Sequence, residues 1–262
     1  MRTSKHLARL SLLAAVSTAL VGTAGLPGQA ASSIVQITSA NEVRFVGVDL
    51  SDTITATGGG KYVTITANAP LGTGTGCTAD DNTDKKVTCT GSDAVPHITL
   101  LMAGGNDRVT IQTSIRTFIL GQKGDDTYLG ASTSVGTKAQ FDGGEDVDHA
   151  DYSGSSSGVL VDMGPGAGDG RLGTDDDNIT ATVENLTGTN HDDSLRGNNS
   201  PNRINGLLGA DALRGGGGVD LILANDGAKD KADLSCGTGV DTIEVDTIDP
   251  AVSGDCENVN RD

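Results

Sequence analysis

Residues 188–223 divide into four consecutive nonapeptides, GTNHDDSLR, GNNSPNRIN, GLLGADALR and GGGGVDLIL. Each opens on glycine (Gly188, Gly197, Gly206, Gly215) and carries Asp or Asn at its sixth position (Asp193, Asn202, Asp211, Asp220). The eighth position is always aliphatic: Leu195, Ile204, Leu213 and Ile222. A nine-residue unit cannot bury an apolar face alone, so such units must stack on one another. Single copies recur elsewhere. GQKGDDTYL carries Asp126 and Tyr128, GGEDVDHAD carries Asp148 and Ala150, and CGTGVDTIE carries Asp241 and Ile243. A degenerate copy, MAGGNDRVT, carries Asp107 and Val109.

The remainder of the chain suits a stacked architecture. With 38 Gly, no Trp, three Phe and three Tyr, it has few aromatic anchors for a globular core. Ile54 and Ala56, Val63 and Ile65, and Val109 and Ile111 alternate with polar residues, many of them Thr. That period of two predicts half-buried strands. Gly58-Gly59-Gly60 and the segment 72–76 read as turns. No helical periodicity appears beyond the N-terminal segment.

That segment has the layout of a secretory leader. Arg2, Lys5 and Arg9 precede an apolar run from Leu10 to Val21, and Gly28-Gln29-Ala30 presents small side chains for cleavage. The run is short for a membrane span. Residues 1–30 are therefore expected to be removed, which takes the net charge from −17 to −20 by deleting three basic residues. So acidic a chain is unsuited to nucleic acid, and it repels itself unless a cation neutralises it. In an oxidising compartment Cys77, Cys89, Cys236 and Cys256 form disulfides. Three pairings are possible, and proximity favours Cys77–Cys89 with Cys236–Cys256. Zinc is disfavoured by the absence of any C-x-x-C spacing and of a nearby His.

The nonapeptides resemble the RTX, or haemolysin-type, calcium-binding repeat, G-G-x-G-x-D-x-U-x. The stretch 151–170, the segment VENLTGTNHDDSLRGN and the C-terminal DCENV are also similar to small secreted calcium-binding proteins that carry it. The resemblance implies an all-β fold, a parallel β-roll or β-solenoid, in which two nonapeptides make one coil. Calcium then sits between turns eighteen residues apart. It implies that Asp193 pairs with Asp211 and Asn202 with Asp220, and that Asp126, Asp148 and Asp241 are further metal ligands. Asn202 lacks a charge, His191 and Ser200 replace glycine at position four, and Leu207 replaces it at position two. Its own site is expected to be weaker. Calcium suits the composition because it takes six to eight oxygen ligands, which Gly-rich turns supply as carbonyls and Asp as carboxylate.

Other motifs carry less. Gly154–Gly158 matches G-x-S-x-G, but its flanks are loop and strand where a nucleophile elbow needs strand and helix. The Asp146/Asp148/Asp151 spacing fails as an EF-hand, with Asp151 at position six and Ser157 at position twelve. The organisation expected is a leader over 1–30, a strand-rich region over 31–100 (the start of the solenoid or a small β-domain), and a calcium-binding roll over 101–262. The expected function is a secreted, extracellular, non-enzymatic calcium-binding structural or interaction module. Its partners are calcium and an unidentified surface or polysaccharide, with neither nucleic acid nor a membrane span. The alternatives are a calcium-dependent adhesin, or a hydrolase or epimerase that uses the repeats to fold. Intact-mass measurement of the secreted protein is expected to show Ala31 as its first residue. A membrane-bound species retaining residues 1–30 would refute this.

Overall fold

The computed structural model describes residues 32–80, 82–130, 135–166, 168–231 and 233–262. The expected leader and its cleavage point lie outside them. Residues 32–262 form one compact unit. Among the described residues every regular element is a strand, and the strands fall into three sheets.

The longest sheet runs from the hairpins at 53–90 to Asn258–Arg261. From Thr53–Gly59 onward it is a parallel ladder, in which Arg108–Gln112, Thr127–Leu129, His149–Asp151, Asn185–Thr187, Arg203–Asn205, Leu221–Ala224 and Thr242–Val245 follow in register. A second sheet covers the N-terminal half, including Val43–Val46, His97–Leu101, Arg116–Lys123 and Ala139–Glu145. A third serves the C-terminal half: Leu160–Asp162, Ser194–Arg196, Ala212–Gly217 and Leu234–Thr238.

Register converts the repeat into a core. Ile54, Val109, Tyr128, Ala150, Leu186, Ile204, Ile222 and Ile243 stand in one column of the long sheet. Val161, Leu195, Leu213 and Leu234 form a second column, and Phe45, Leu100, Ile119, Phe141 and Ile179 a third. All are buried. Each contributes about 1.5–3 kcal/mol by leaving water, less for Ala150. The eighth-position residues therefore lie where the period places them.

The N-terminal region departs from an all-parallel stack. Ile34–Ile37 pairs antiparallel with Val43–Val46. Thr53–Gly59, Tyr62–Ala67, Lys86–Thr90 and Cys77–Ala79 form an antiparallel meander joined to the ladder through Thr53–Gly59. Gly60, at φ +60°, lets the first hairpin reverse within its tight turn. Cys77 and Cys89 face each other across that meander and are bridged, and Cys236 is bridged to Cys256. This is the pairing that proximity favoured.

Where the second sheet gives way to the third, the core is polar. Asp177 is fully buried and accepts from the Tyr128 hydroxyl (3.0 Å), the Thr137 hydroxyl (3.1 Å) and the Ala139 N–H (2.9 Å). Arg171 grips Asp175 through two hydrogen bonds of 3.0 Å.

Ile222→Ala is expected to lower the unfolding free energy by about 2–5 kcal/mol, as for other buried aliphatic truncations. Val219→Ala, three residues away on an exposed turn, should stay within about 0.5 kcal/mol. Equilibrium urea denaturation decides it, and equal effects at the two positions would contradict the register.

Candidate metal centre

The residue immediately before each parallel strand of the long sheet is acidic, or Asn at one rung: Asp52, Asp107, Asp126, Asp148, Glu184, Asn202, Asp220, Asp241 and Glu257. Their side chains form a ladder. Asp107 Oδ1 accepts the N–H of Asp52 (2.6 Å), Asp126 that of Asp107 (2.8 Å), and Asp148 that of Asp126 (2.8 Å). Glu184 then accepts from Asp148 (2.9 Å). Beyond Asn202 the pattern resumes: Asp220 accepts from Asn202, Asp241 from Asp220, and Glu257 from Asp241, at 2.8–2.9 Å.

A second ladder flanks the third sheet. Asp193 accepts from the Val159 N–H (2.7 Å), Asp211 from Asp193 (2.8 Å), Asp230 from Asp211 (2.8 Å) and Asp249 from Asp230 (2.9 Å). The expected neighbours, Asp193 with Asp211 and Asn202 with Asp220, are thus brought together at a separation of eighteen residues. Asp126 and Asp148 stand on adjacent rungs, and Asp241 follows Asp220.

One oxygen of each carboxylate is used in this way. The other is buried and has no hydrogen-bond partner at Asp107, Asp126, Asp148, Asp220, Asp230 and Asp241. In several turns this oxygen lies against the opening glycine. A Cβ at Gly121 would overlap both Asp126 Oδ2 and the Gly143 carbonyl oxygen. At Gly215 it would overlap Asp220 Oδ2 and the Cys236 carbonyl oxygen. A carboxylate of one rung and a carbonyl of the next therefore converge where only glycine leaves room.

Burial makes these carboxylates resist ionisation. It pushes Asp107 and Asp211 up to about 8, Asp148 to about 7, and Asp126, Asp220 and Asp230 to about 6. Backbone N–H donors oppose the rise without cancelling it. Asp193 is also raised by burial.

Two of the tandem turns differ. Asp193 Oδ2 accepts the N–H of Thr189 (2.6 Å), and Asn202 Oδ1 accepts that of Asn198 (2.8 Å). Both side chains accept a hydrogen bond from within their own turn. Repeat reading missed Asp52, Glu184, Asp230, Glu257 and Asp249, because their turns lack the glycine signature. Their only signal in sequence is an acidic residue about one coil beyond a known rung.

Among the described residues, no group of three or more His, Cys, Asp and Glu side chains is gathered to hold a metal. A cation at these turns would therefore need backbone carbonyls as well as carboxylates, a donor set that calcium accepts. No protein-family model and no curated protein matches the chain.

Without a cation, the folded state holds protons on Asp107 and Asp211 up to about pH 8. The unfolded chain releases them near pH 3.9. The associated stability is complete below about pH 4 and lost as pH rises to about 8. Melting temperature in EDTA is expected to fall steadily from pH 5 to pH 8, with a shallower slope for Asp211→Asn. A flat or rising profile would refute this.

Proposed function

We propose that this protein is a secreted calcium-binding module, whose parallel rungs wind as a β-roll of the RTX type and whose folding is coupled to calcium. The supporting observation is the set of six buried carboxylate oxygens without a donor among the described residues. A buried polar atom left unpaired is costly, and a buried charge more so. A divalent cation between rungs relieves both, and also the mutual repulsion of stacked carboxylates.

Asp107, Asp126, Asp148, Asp220, Asp230 and Asp241 would hold the ion, with carbonyls such as those of Gly143 and Cys236 beside them. The donors are all oxygen, and the turns are irregular, which favours calcium over magnesium with its strict octahedral shell. Asp193 and Asn202 serve chiefly to close their own turns. The leader and the two disulfides favour an extracellular setting. Among the described residues no helix is long and apolar enough to cross a membrane. A binding and structural role is preferred to an enzyme, since the segment 154–158 leads through a bend into strand Leu160–Asp162 with no helix behind it.

Calcium at about one hundred times its Kd should stabilise the protein by about 2.7 kcal/mol per site. Magnesium should do much less, and Asp220→Ala should reduce the gain more than Asn202→Ala. Calorimetry with EDTA, calcium and magnesium tests this. Identical melting curves in EDTA and in calcium would overturn the proposal.

A further inference from the structure

Resting on the calcium reading, we infer that the cation-binding turns form two separately loading blocks. Asp107, Asp126 and Asp148 make one, and Asp220, Asp230 and Asp241 the other. The Glu184 rung and two turns closed to metal, those of Asp193 and Asn202, divide them.

The division follows from where hydrogen atoms point. Among the described residues, every buried carboxylate oxygen without a donor lies on one side or the other of 184–202, and none lies within it. The Asp230 turn bends through Asp226 Oδ1, which accepts the Ala228 N–H, but in the other five open turns positions two and four are left-handed, as in Gln122 and Gly124 before Asp126, Gly144 and Asp146 before Asp148, Gly216 and Gly218 before Asp220, and Gly237 and Gly239 before Asp241. That backbone carries strand pairing on into the turn, as in Gln122 with Gly144 and Gly216 with Gly237. The carboxylate beside it then keeps one oxygen free.

In the closed turns Thr189, His191, Asn198 and Ser200 are not left-handed. Side chains rebuild the bend: the Thr189 hydroxyl accepts the His191 N–H (2.9 Å), and Asn198 Oδ1 accepts the Ser200 N–H (2.7 Å). The N–H at position two is thereby turned onto Asp193 or Asn202. The Thr189 hydroxyl reaches the other Asp193 oxygen at 3.1 Å. Carbonyls are consumed too. Asn202 Nδ2 donates to Glu184 (3.2 Å), and Asn198 Nδ2 to Val183 (3.0 Å) and Ala181 (3.3 Å). A cation there would displace amide hydrogens from both kinds of ligand.

The closed turns coincide with the exchange of the second sheet for the third. Rungs elsewhere on the repeats are 18–22 residues apart, but Asp148 to Glu184 spans 36. The molecule thus has a joint held by its own hydrogen bonds, with metal-dependent turns on either side.

Hydrogen-exchange mass spectrometry of the full chain in EDTA and in calcium chloride tests this. Calcium is expected to slow exchange over 103–151 and over 214–245, by about 100-fold at one hundred times Kd, and to leave 188–205 unchanged. The double variant Asp126→Asn/Asp148→Asn keeps the oxygen that the ladder uses. It should lose the response in the first block only. Asp220→Asn/Asp241→Asn should lose it in the second only. Calcium protection centred on 188–205 in the unaltered protein, or loss of both responses from either variant, would overturn the two-block arrangement while leaving calcium binding intact. No calcium response anywhere would overturn both.

Discussion

The fold depends on one short hydrogen bond, repeated. The carboxylate that opens a strand accepts the backbone N–H of the same position one rung earlier. Parallel strands bond along their length, but the corners between them leave N–H groups without strand partners. Such groups are costly when buried. Asp is well suited to the task, because its short side chain reaches the neighbouring rung without leaving the corner and leaves an oxygen to accept the N–H in either protonation state. At Glu184 and Glu257 a longer side chain does the same work.

This solution creates its own difficulty. Most rungs place a carboxylate beside the carboxylates of their neighbours, and at six of those among the described residues one buried oxygen has no donor. The apolar columns are largely aliphatic, so the core has modest means to offset that cost. Protons relieve it at low pH, so these groups couple stability to pH; under the proposed function a cation would relieve it at higher pH. Glycine at the first position belongs to the same arrangement: its missing side chain is the space in which carboxylate and carbonyl meet.

Disulfides secure the places where the ladder is weakest. Cys77–Cys89 holds the antiparallel meander, and Cys236–Cys256 ties the last rung of the third sheet to the C-terminal segment. Asp177 and the Arg171–Asp175 pair hold the joint between sheets with hydrogen bonds instead. The contacts of Asp177 join residues 38–49 positions apart, such as Tyr128 with Asp177, and no local pattern announces them.

The nine-residue period by itself determined the columns. Leu195, Ile204, Leu213 and Ile222 had to face inward, and Asp193 and Asp211 had to become neighbours, because stacking identical units leaves no other register. Cysteine proximity determined the bridges for a similar reason, as each pair sits on adjacent chain segments. Tertiary structure alone decided the rest. The tandem block looked like the richest ligand set, yet Asp193 and Asn202 are closed by Thr189 and Asn198, whereas the less regular turns at Asp107 and Asp230 remain open. Residue identity fixes which atoms are able to bind. Only the backbone of the finished turn, by aiming the position-two N–H into the strand ladder or onto the carboxylate, fixes which are free to do so.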